Sequence, residues 1–340
     1  MTASDMETTA KLLVAPGKGI LAADESLPTI GKRFKSISLP STEENRRAYR
    51  ELLFTTPGIG ESISGVILFD ETIRQGTLNS IPMPEALKKQ GVIPGIKVDK
   101  GAKDLALFPG ETITEGLDGL RGRLAEYREL GARFTKWRAV ITIGQPIPTR
   151  PCILANAHAL ARFAALSQEA GLVPIVEPEV LMDGDHTINR CEEITGEVLK
   201  SVFEVLSDYR VVLERMLLKP NMVVPGEKCT EKVEVEAVAE ATIRCLRRYV
   251  PSAVPGIVFL SGGQGEIQAT ENLNAINRQK KVPWELSFSF GRALQASALN
   301  AWRGVVVNVA AAQKAFHHRA KCNSLARYGK YRVEMEKESS

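Results

Sequence analysis

The sequence predicts a closed (β/α)8 barrel, an eight-stranded parallel TIM barrel with an N-terminal extension and a C-terminal helix and tail. Three observations predict it. Short apolar runs alternate eight times with stretches of helical periodicity, the pattern of a parallel sheet with crossover helices. The 340 residues suit one barrel with extensions. No GxGxxG follows the first strand and no Walker loop occurs, so dinucleotide-binding and P-loop sheets lose support. Residues 1–340 are therefore read as one domain, with 330–340 as a mobile charged tail.

The elements follow in order. A short helix over 4–15 stops before Pro16-Gly17. The first strand, 19–24, ends in Asp24-Glu25, and a basic loop with Lys32, Arg33 and Lys35 follows it. Thr42 starts a helix that runs through Leu53, and Gly58-Ile59-Gly60 breaks the pattern. A strand over 63–69 ends in Asp70-Glu71, and helix-like residues 85–90 lead to a strand over 92–99. A loop rich in Gly and Pro spans 100–112. Leu117, Leu120, Leu124 and Tyr127 stand at helical spacing before Gly131. Further strands are expected at 134–143, 173–180, 216–224, 256–260 and 284–290. Helices are expected at 155–170, 189–206, 233–249, 267–276, 293–302 and 305–328.

Composition narrows the function. The formal charge is +4 with acids and bases mixed along the chain, which is no nucleic-acid footprint but is compatible with anionic small substrates. The five cysteines form no CxxC pair and read as free thiols in a reducing compartment. No apolar run is long enough to span a membrane, and residues 1–10 carry no secretory or transit pattern, so a cytoplasmic location is expected.

Lys219 sits inside the apolar run from Met216 to Val224, with Asn221 two residues on and on the same face. A lysine there is either paired for structural reasons or is an amine nucleophile able to form a Schiff base. Other strand ends carry similar i,i+2 polar pairs: Lys97 with Asp99, Lys136 with Arg138, and Glu177 with Glu179. The outward face of a parallel barrel is covered by helices, so these pairs are expected to point inward at the end where barrel enzymes place their catalytic groups. One such pair reads equally as a buried ion network; four converging pairs favour a site. Close cations lower a lysine pKa, and neighbouring carboxylates can shuttle protons.

Strand seven runs into Ser261-Gly262-Gly263, and strand eight into Ser289-Phe290-Gly291-Arg292. Loops after these two strands are the usual phosphate site of barrel enzymes. Glycines let backbone N–H groups approach an anion, and an arginine adds a charge-assisted bond. The histidines attract less attention. His186 follows Asp183-Gly184-Asp185, but no second histidine stands at ligand spacing, so no metal is assigned. His158 reads as surface or satisfied core, and His317-His318 with Arg319 as a solvated helix face.

These residues resemble a known family, the Schiff-base (class I) fructose-1,6-bisphosphate aldolases. The matching stretches are Gly19-Ile-Leu-Ala-Ala-Asp-Glu-Ser26, Gly95-Ile-Lys-Val-Asp-Lys-Gly101, Lys136-Trp-Arg138, Val176-Glu-Pro-Glu179, Leu217-Leu-Lys-Pro-Asn-Met222, Phe259-Leu-Ser-Gly-Gly-Gln264 and Gly291-Arg-Ala-Leu-Gln-Ala-Ser297. The resemblance implies reversible cleavage of fructose 1,6-bisphosphate to dihydroxyacetone phosphate and glyceraldehyde 3-phosphate, with no metal or other cofactor. It also implies phosphorylated sugars as substrates and a homotetramer. By the same resemblance Lys219 is the Schiff-base lysine, Glu177 the general acid/base, and Lys136 the cation that keeps the amine reactive. Asp24 lies near the C4 hydroxyl, and Glu179 holds the lysine pair. The resemblance puts Ser261, Gly262, Gly291 and Arg292 on the C1-phosphate side and Lys97, Arg138, Ser26 and Arg33 on the C6-phosphate side, with Gly263, Ser289 and Thr29 as further substrate-binding residues.

Two departures stand out. Thr29 occupies a position where family members commonly have serine, and it keeps the hydroxyl. The chain ends Lys337-Glu338-Ser339-Ser340, with Tyr328 and Tyr331 upstream, so a terminal tyrosine step in enamine proton exchange is not expected. A transaldolase-like or monophosphate-preferring aldolase would lack the second set of phosphate contacts, which Lys97, Arg138 and the basic loop supply. A barrel kept only as an interaction scaffold would have a broken constellation, whereas Lys219, Glu177, Lys136 and Asp24 are all present.

Overall fold

The computed structural model describes residues 3–279 and 282–339. Helix α1 (Ala3–Leu13) leads into β1 (Gly19–Ala23), then α2 (Leu27–Lys35) and α3 (Glu43–Phe54). The span of α2 is the one read as a basic loop. Its signal was Ile30 and Phe34, four apart and both buried, behind a Pro at the first turn. Strand β2 (Ile63–Leu68) is followed by α4 (Asp70–Arg74) and α5 (Met83–Lys89), then β3 (Ile93–Lys97). The expected loop over 100–112 holds β4 (Ala102–Asp104), which pairs antiparallel with β5 (Thr112–Thr114) outside the barrel.

The chain continues as α6 (Leu120–Glu129), β6 (Phe134–Ile141), α7 (Arg150–Glu169), β7 (Val173–Val180), α8 (Ile188–Asp208), β8 (Leu217–Leu218) and α9 (Val235–Tyr249). It closes with β9 (Gly256–Phe259), α10 (Glu266–Arg278), β10 (Glu285–Phe290), α11 (Arg292–Trp302) and α12 (Val309–Arg327). The Thr42, Thr149 and Thr187 hydroxyls cap α3, α7 and α8 by accepting from backbone N–H groups. A 3-10 turn over Val306–Asn308 precedes α12, so the long last helix begins later than periodicity suggests. A 3-10 helix, Val333–Ser339, follows it.

Eight strands close the barrel in the order β1-β10-β9-β8-β7-β6-β3-β2, each parallel to its neighbours. Alternation sorts their side chains. Trp137, Ala139, Val176 and Leu218 face the helix layer, while Phe134, Val173, Ile175 and Leu217 face the barrel axis. Room for Phe134 depends on Gly95: a Cβ there would lie 2.3 Å from the ring. Helix α1 and the residue after it lay Met6, Ala10, Leu13 and Val14 against the same inner cluster. The amino-terminal end is thus an apolar floor. Arg327 seals its edge, donating to the carbonyls of Val14, Ala15, Lys18 and Leu286. Among the described residues no helix is long and apolar enough to cross a membrane.

Candidate active site

One step up each inward row, the side chains change from apolar to ionic. On β1 the row runs Ile20, Ala22 and then Asp24; on β7 it runs Val173, Ile175, Glu177 and Glu179. Phe134 is succeeded by Lys136, and Leu217 by Lys219. Lys219 lies just past β8, yet its N–H still donates to Val176 at 2.8 Å and holds the strand register. Pro220 then ends the ladder, because it has no N–H to give. This explains why β8 is much shorter than the expected run. It also turns Asn221 away: its Oδ1 accepts from Val180 N at 3.0 Å, and its Nδ2 donates to Thr195 on α8 at 3.2 Å. The predicted Lys219–Asn221 pair therefore splits between the chamber and the helix layer.

Four side chains form a connected ionic layer across the barrel. Glu177 Oε1 is 3.0 Å from Lys219 Nζ, and its Oε2 is 2.9 Å from Lys136 Nζ. Lys136 also reaches Asp24 Oδ2 at 2.8 Å, which links β6 to β1. All four are buried. Burial alone would raise both carboxyls, but Lys136 and Lys219 outweigh it and hold Asp24 and Glu177 below the usual range. Burial would lower Lys136, but Asp24 and Glu177 raise it instead, so it stays cationic. The layer thus offers a lysine amine beside a carboxylate that can take and return its proton, with a fixed cation next to both.

Depressed carboxyl values fix the sign of the acid response. As pH falls, the unfolded chain binds protons first, near the ordinary values of about 3.9 and 4.3. Stability contributed by Asp24 and Glu177 is complete above about pH 5 and is lost progressively as pH drops toward their folded values. The melting temperature is expected to fall from about pH 5 to pH 3, and the fall should be shallower in Glu177→Gln. Equal slopes for the two proteins in a thermal-melt series across that range would contradict the assignment.

Above the layer opens a chamber of about 620 Å³. It gathers the catalytic and substrate-binding residues expected from the sequence, Asn221 aside: Asp24, Ser26, Thr29, Arg33, Lys97, Lys136, Arg138, Glu177, Glu179, Lys219, Ser261, Gly262, Gly263, Ser289, Gly291 and Arg292. Cations stand on opposite walls. On one side Arg292, at the first turn of α11, donates to the Gly263 carbonyl and ties the β10 end to the β9 loop. Gly262 and Gly263, which line the chamber, have φ of 53° and 92°, a backbone that favours glycine. The buried Ser289 hydroxyl has no hydrogen-bond partner among the described residues. Across the barrel, Lys97 pairs with Asp99 at 2.6 Å, and Arg138 pairs with Glu179. Glu179, expected to hold the lysine pair, thus holds Arg138, while Glu177 bridges the lysines.

Some supporting residues carried no recognised signal. Glu25 pairs with Arg33 and Arg50, and accepts from Gln295 Nε2 at 2.8 Å. Burial would raise its carboxyl, but Arg50 and Arg33 lower it. This buried cluster fixes α2 against α3 and α11 directly behind Asp24. It also brings Arg33 beside Gly291, where a built Cβ would lie 3.5 Å from its Nη2. Arg33 therefore stands nearer the Arg292 wall than the Lys97 wall. The two tyrosines near the carboxyl end lie elsewhere. Tyr331 donates its hydroxyl to Glu336 at 2.6 Å, and Tyr328 packs over Gly17 at the barrel floor.

An eight-stranded barrel with an ionic layer and a glycine-rich anion cradle at its carboxyl end has the architecture of an enzyme for small phosphorylated substrates. Comparison with known proteins narrows the class. A family profile described as fructose-bisphosphate aldolase class-I matches residues 5–340. A probable fructose-bisphosphate aldolase class 1 of Xanthomonas campestris is 56% identical over 98% of this chain and 100% of its own length. Fructose-bisphosphate aldolase 4, cytosolic, of Arabidopsis thaliana is 58% identical over 93% of this chain and 81% of its own. The fold superposes on the Plasmodium falciparum fructose-bisphosphate aldolase, solved with TRAP and a small-molecule inhibitor, with a TM-score of 0.96 and 52% identity over 97% of this chain and 96% of that one. The chain belongs to the class I fructose-bisphosphate aldolase family, enzymes of glycolysis.

Proposed function

We propose that Lys219 is the Schiff-base nucleophile for reversible cleavage of fructose 1,6-bisphosphate, and that the ionic layer moves the protons. The observation that carries this reading is the 3.0 Å contact between Lys219 Nζ and Glu177 Oε1, in a buried layer that also holds a cationic Lys136. Proton transfer from Lys219 to Glu177 frees the amine lone pair, which attacks the C2 carbonyl. Glu177 returns that proton to the C2 oxygen, then carries a second from the carbinolamine nitrogen to the same oxygen, and water leaves as the iminium forms. Asp24, held ionised, takes the C4 hydroxyl proton. The C3–C4 electron pair then moves into the iminium to give an enamine, and glyceraldehyde 3-phosphate departs. Protonation at C3 and hydrolysis of the imine release dihydroxyacetone phosphate and restore Lys219. The imine is the electron sink, so the scheme calls on no metal.

The two cationic walls support a substrate with a phosphate at each end. Arg292, Ser261, Gly262, Gly263, Ser289 and Gly291 take the C1 phosphate, with Arg33 beside them. Lys97 and Arg138 take the C6 phosphate, and Ser26 and Thr29 offer hydroxyls at the rim. Glu179 keeps Arg138 in place. Enamine protonation falls to Glu177, the acid nearest Lys219, which takes up a proton from solvent after the aldehyde leaves, while Asp24 gives its proton up to solvent. The whole chain acts as one barrel domain in a cytoplasmic homotetramer, a location in keeping with the cytosolic plant relative.

The test is trapping. Borohydride added with fructose 1,6-bisphosphate should leave a reduced triose-phosphate or hexose-bisphosphate adduct on the peptide that contains Lys219, read by mass spectrometry. An adduct on Lys136 or Lys97, or none at all, would refute the assignment.

A further inference from the structure

Away from the barrel mouth, three ligand-type side chains converge where α12 meets the chain that follows it. His318 and Cys322 lie one turn apart on α12 and share a face. Cys322 Sγ is 3.6 Å from His318 Nε2. Glu336, from Val333–Ser339, brings its Oε2 to 3.9 Å from the same nitrogen. Imidazole, thiol and carboxylate donors all lie within 4.8 Å of one another. Two ligands bound to tetrahedral zinc, at about 2.0 and 2.3 Å, stand about 3.5 Å apart. The two separations measured from His318 Nε2 come within about half an ångström of that figure, and the third lies under 4.8 Å. A mixed nitrogen, sulfur and oxygen set suits zinc, whereas magnesium and calcium take oxygen ligands.

The surroundings match those of a ligating carboxylate. Arg319 donates to both oxygens of Glu336, and the Tyr331 hydroxyl donates to Oε1 at 2.6 Å. Outer-shell bonds of this kind orient metal-bound carboxylates. The Arg319 charge opposes a cation, but a Cys322 thiolate and the Glu336 carboxylate together exceed it. Cys322 is buried, while His318 and Glu336 are half-buried, which leaves the fourth position for water. The histidine pair read from sequence as a solvated face is thus divided, with His318 turned toward the tail.

We propose that His318, Cys322 and Glu336 bind one zinc ion that fastens Val333–Ser339 onto α12. The site is separate from the chamber and takes no part in the aldol steps. Binding exchanges the Cys322 thiol proton for the metal, and that proton passes to solvent. The fastening has a path toward the phosphate loop: Arg319 also donates to the Glu266 carbonyl at 3.2 Å, and Glu266 opens α10 just after Ser261-Gly262-Gly263.

Full-length protein stripped with a chelator and dialysed against limiting zinc chloride should retain one zinc per chain by elemental analysis. Cobalt in its place should give a thiolate-to-cobalt absorption band in the near ultraviolet. Cys322→Ser should lose both signals, and His318→Asn should weaken binding at least tenfold. Zinc should slow trypsin cleavage after Arg332 and Lys337 in the unaltered protein but not in His318→Asn. Circular dichroism checks that each variant is folded; if Cys322→Ser is not, Cys322→Ala and His318→Asn carry the comparison. Substoichiometric zinc in the unaltered protein, or equal zinc in the variants, overturns the proposal.

Discussion

Lys219→Met is expected to abolish cleavage of fructose 1,6-bisphosphate, lowering kcat by more than about 10⁴-fold; removing an activated nucleophile elsewhere lowers it by up to about 10⁶-fold. Methionine keeps most of the volume of the lysine stem, so the packing against Leu217 and Leu218 should survive. The substitution also leaves Glu177 with a cationic partner, Lys136 at 2.9 Å, so no buried carboxylate is stranded. The variant should therefore fold, bind phosphorylated sugar and fail to form a borohydride-stable adduct. A coupled assay for glyceraldehyde 3-phosphate release measures the loss. Residual turnover within tenfold of the unaltered enzyme would sink the Schiff-base assignment.

Glu177→Gln should act differently, because it removes a proton carrier and a shared counter-ion at once. Loss of a positioned acid/base typically lowers kcat by about 10²- to 10⁴-fold. KM should change little, since the proposed phosphate contacts on the two walls are untouched. Stability should also suffer. Breaking a buried ion pair from one side typically costs about 3–5 kcal/mol. The layer then holds Lys136 and Lys219 with only Asp24 in contact, and that contact is to Lys136. Denaturant titration and steady-state kinetics on one preparation separate the two effects. A rise in KM at unchanged kcat would assign Glu177 to substrate binding and remove it from proton transfer.

Much of this site was legible because strands alternate. Once 134–141 and 173–180 are recognised as barrel strands, period two alone puts Lys136 with Arg138 and Glu177 with Glu179 on the inner face. The same rule misled at Asn221, because Pro220 stops the ladder and the next side chain turns to α8. The helix over Leu27–Lys35 was missed because only Ile30 and Phe34 mark its buried face, among basic residues. The Glu25–Arg50 pair had no local signal at all: its partners come from separate elements and meet only when β1, α2 and α3 are folded together. The tail gave a different lesson. Its charge pattern reads as solvated, yet Glu336 finds Arg319 on α12 and Tyr331 five residues before it.

The apolar floor sets the traffic of the reaction. Beneath the ionic layer the barrel axis is filled by Phe134, Ile175, Leu217 and Val258, with α1 packed below them. Nothing polar can leave that way. Hexose bisphosphate, both trioses and the water that hydrolyses the imine must share one doorway, the mouth between the two cationic walls. In the proposed scheme the aldehyde product has to clear that doorway before the bound triose can be released, and a triose phosphate held at either wall would obstruct the next arrival.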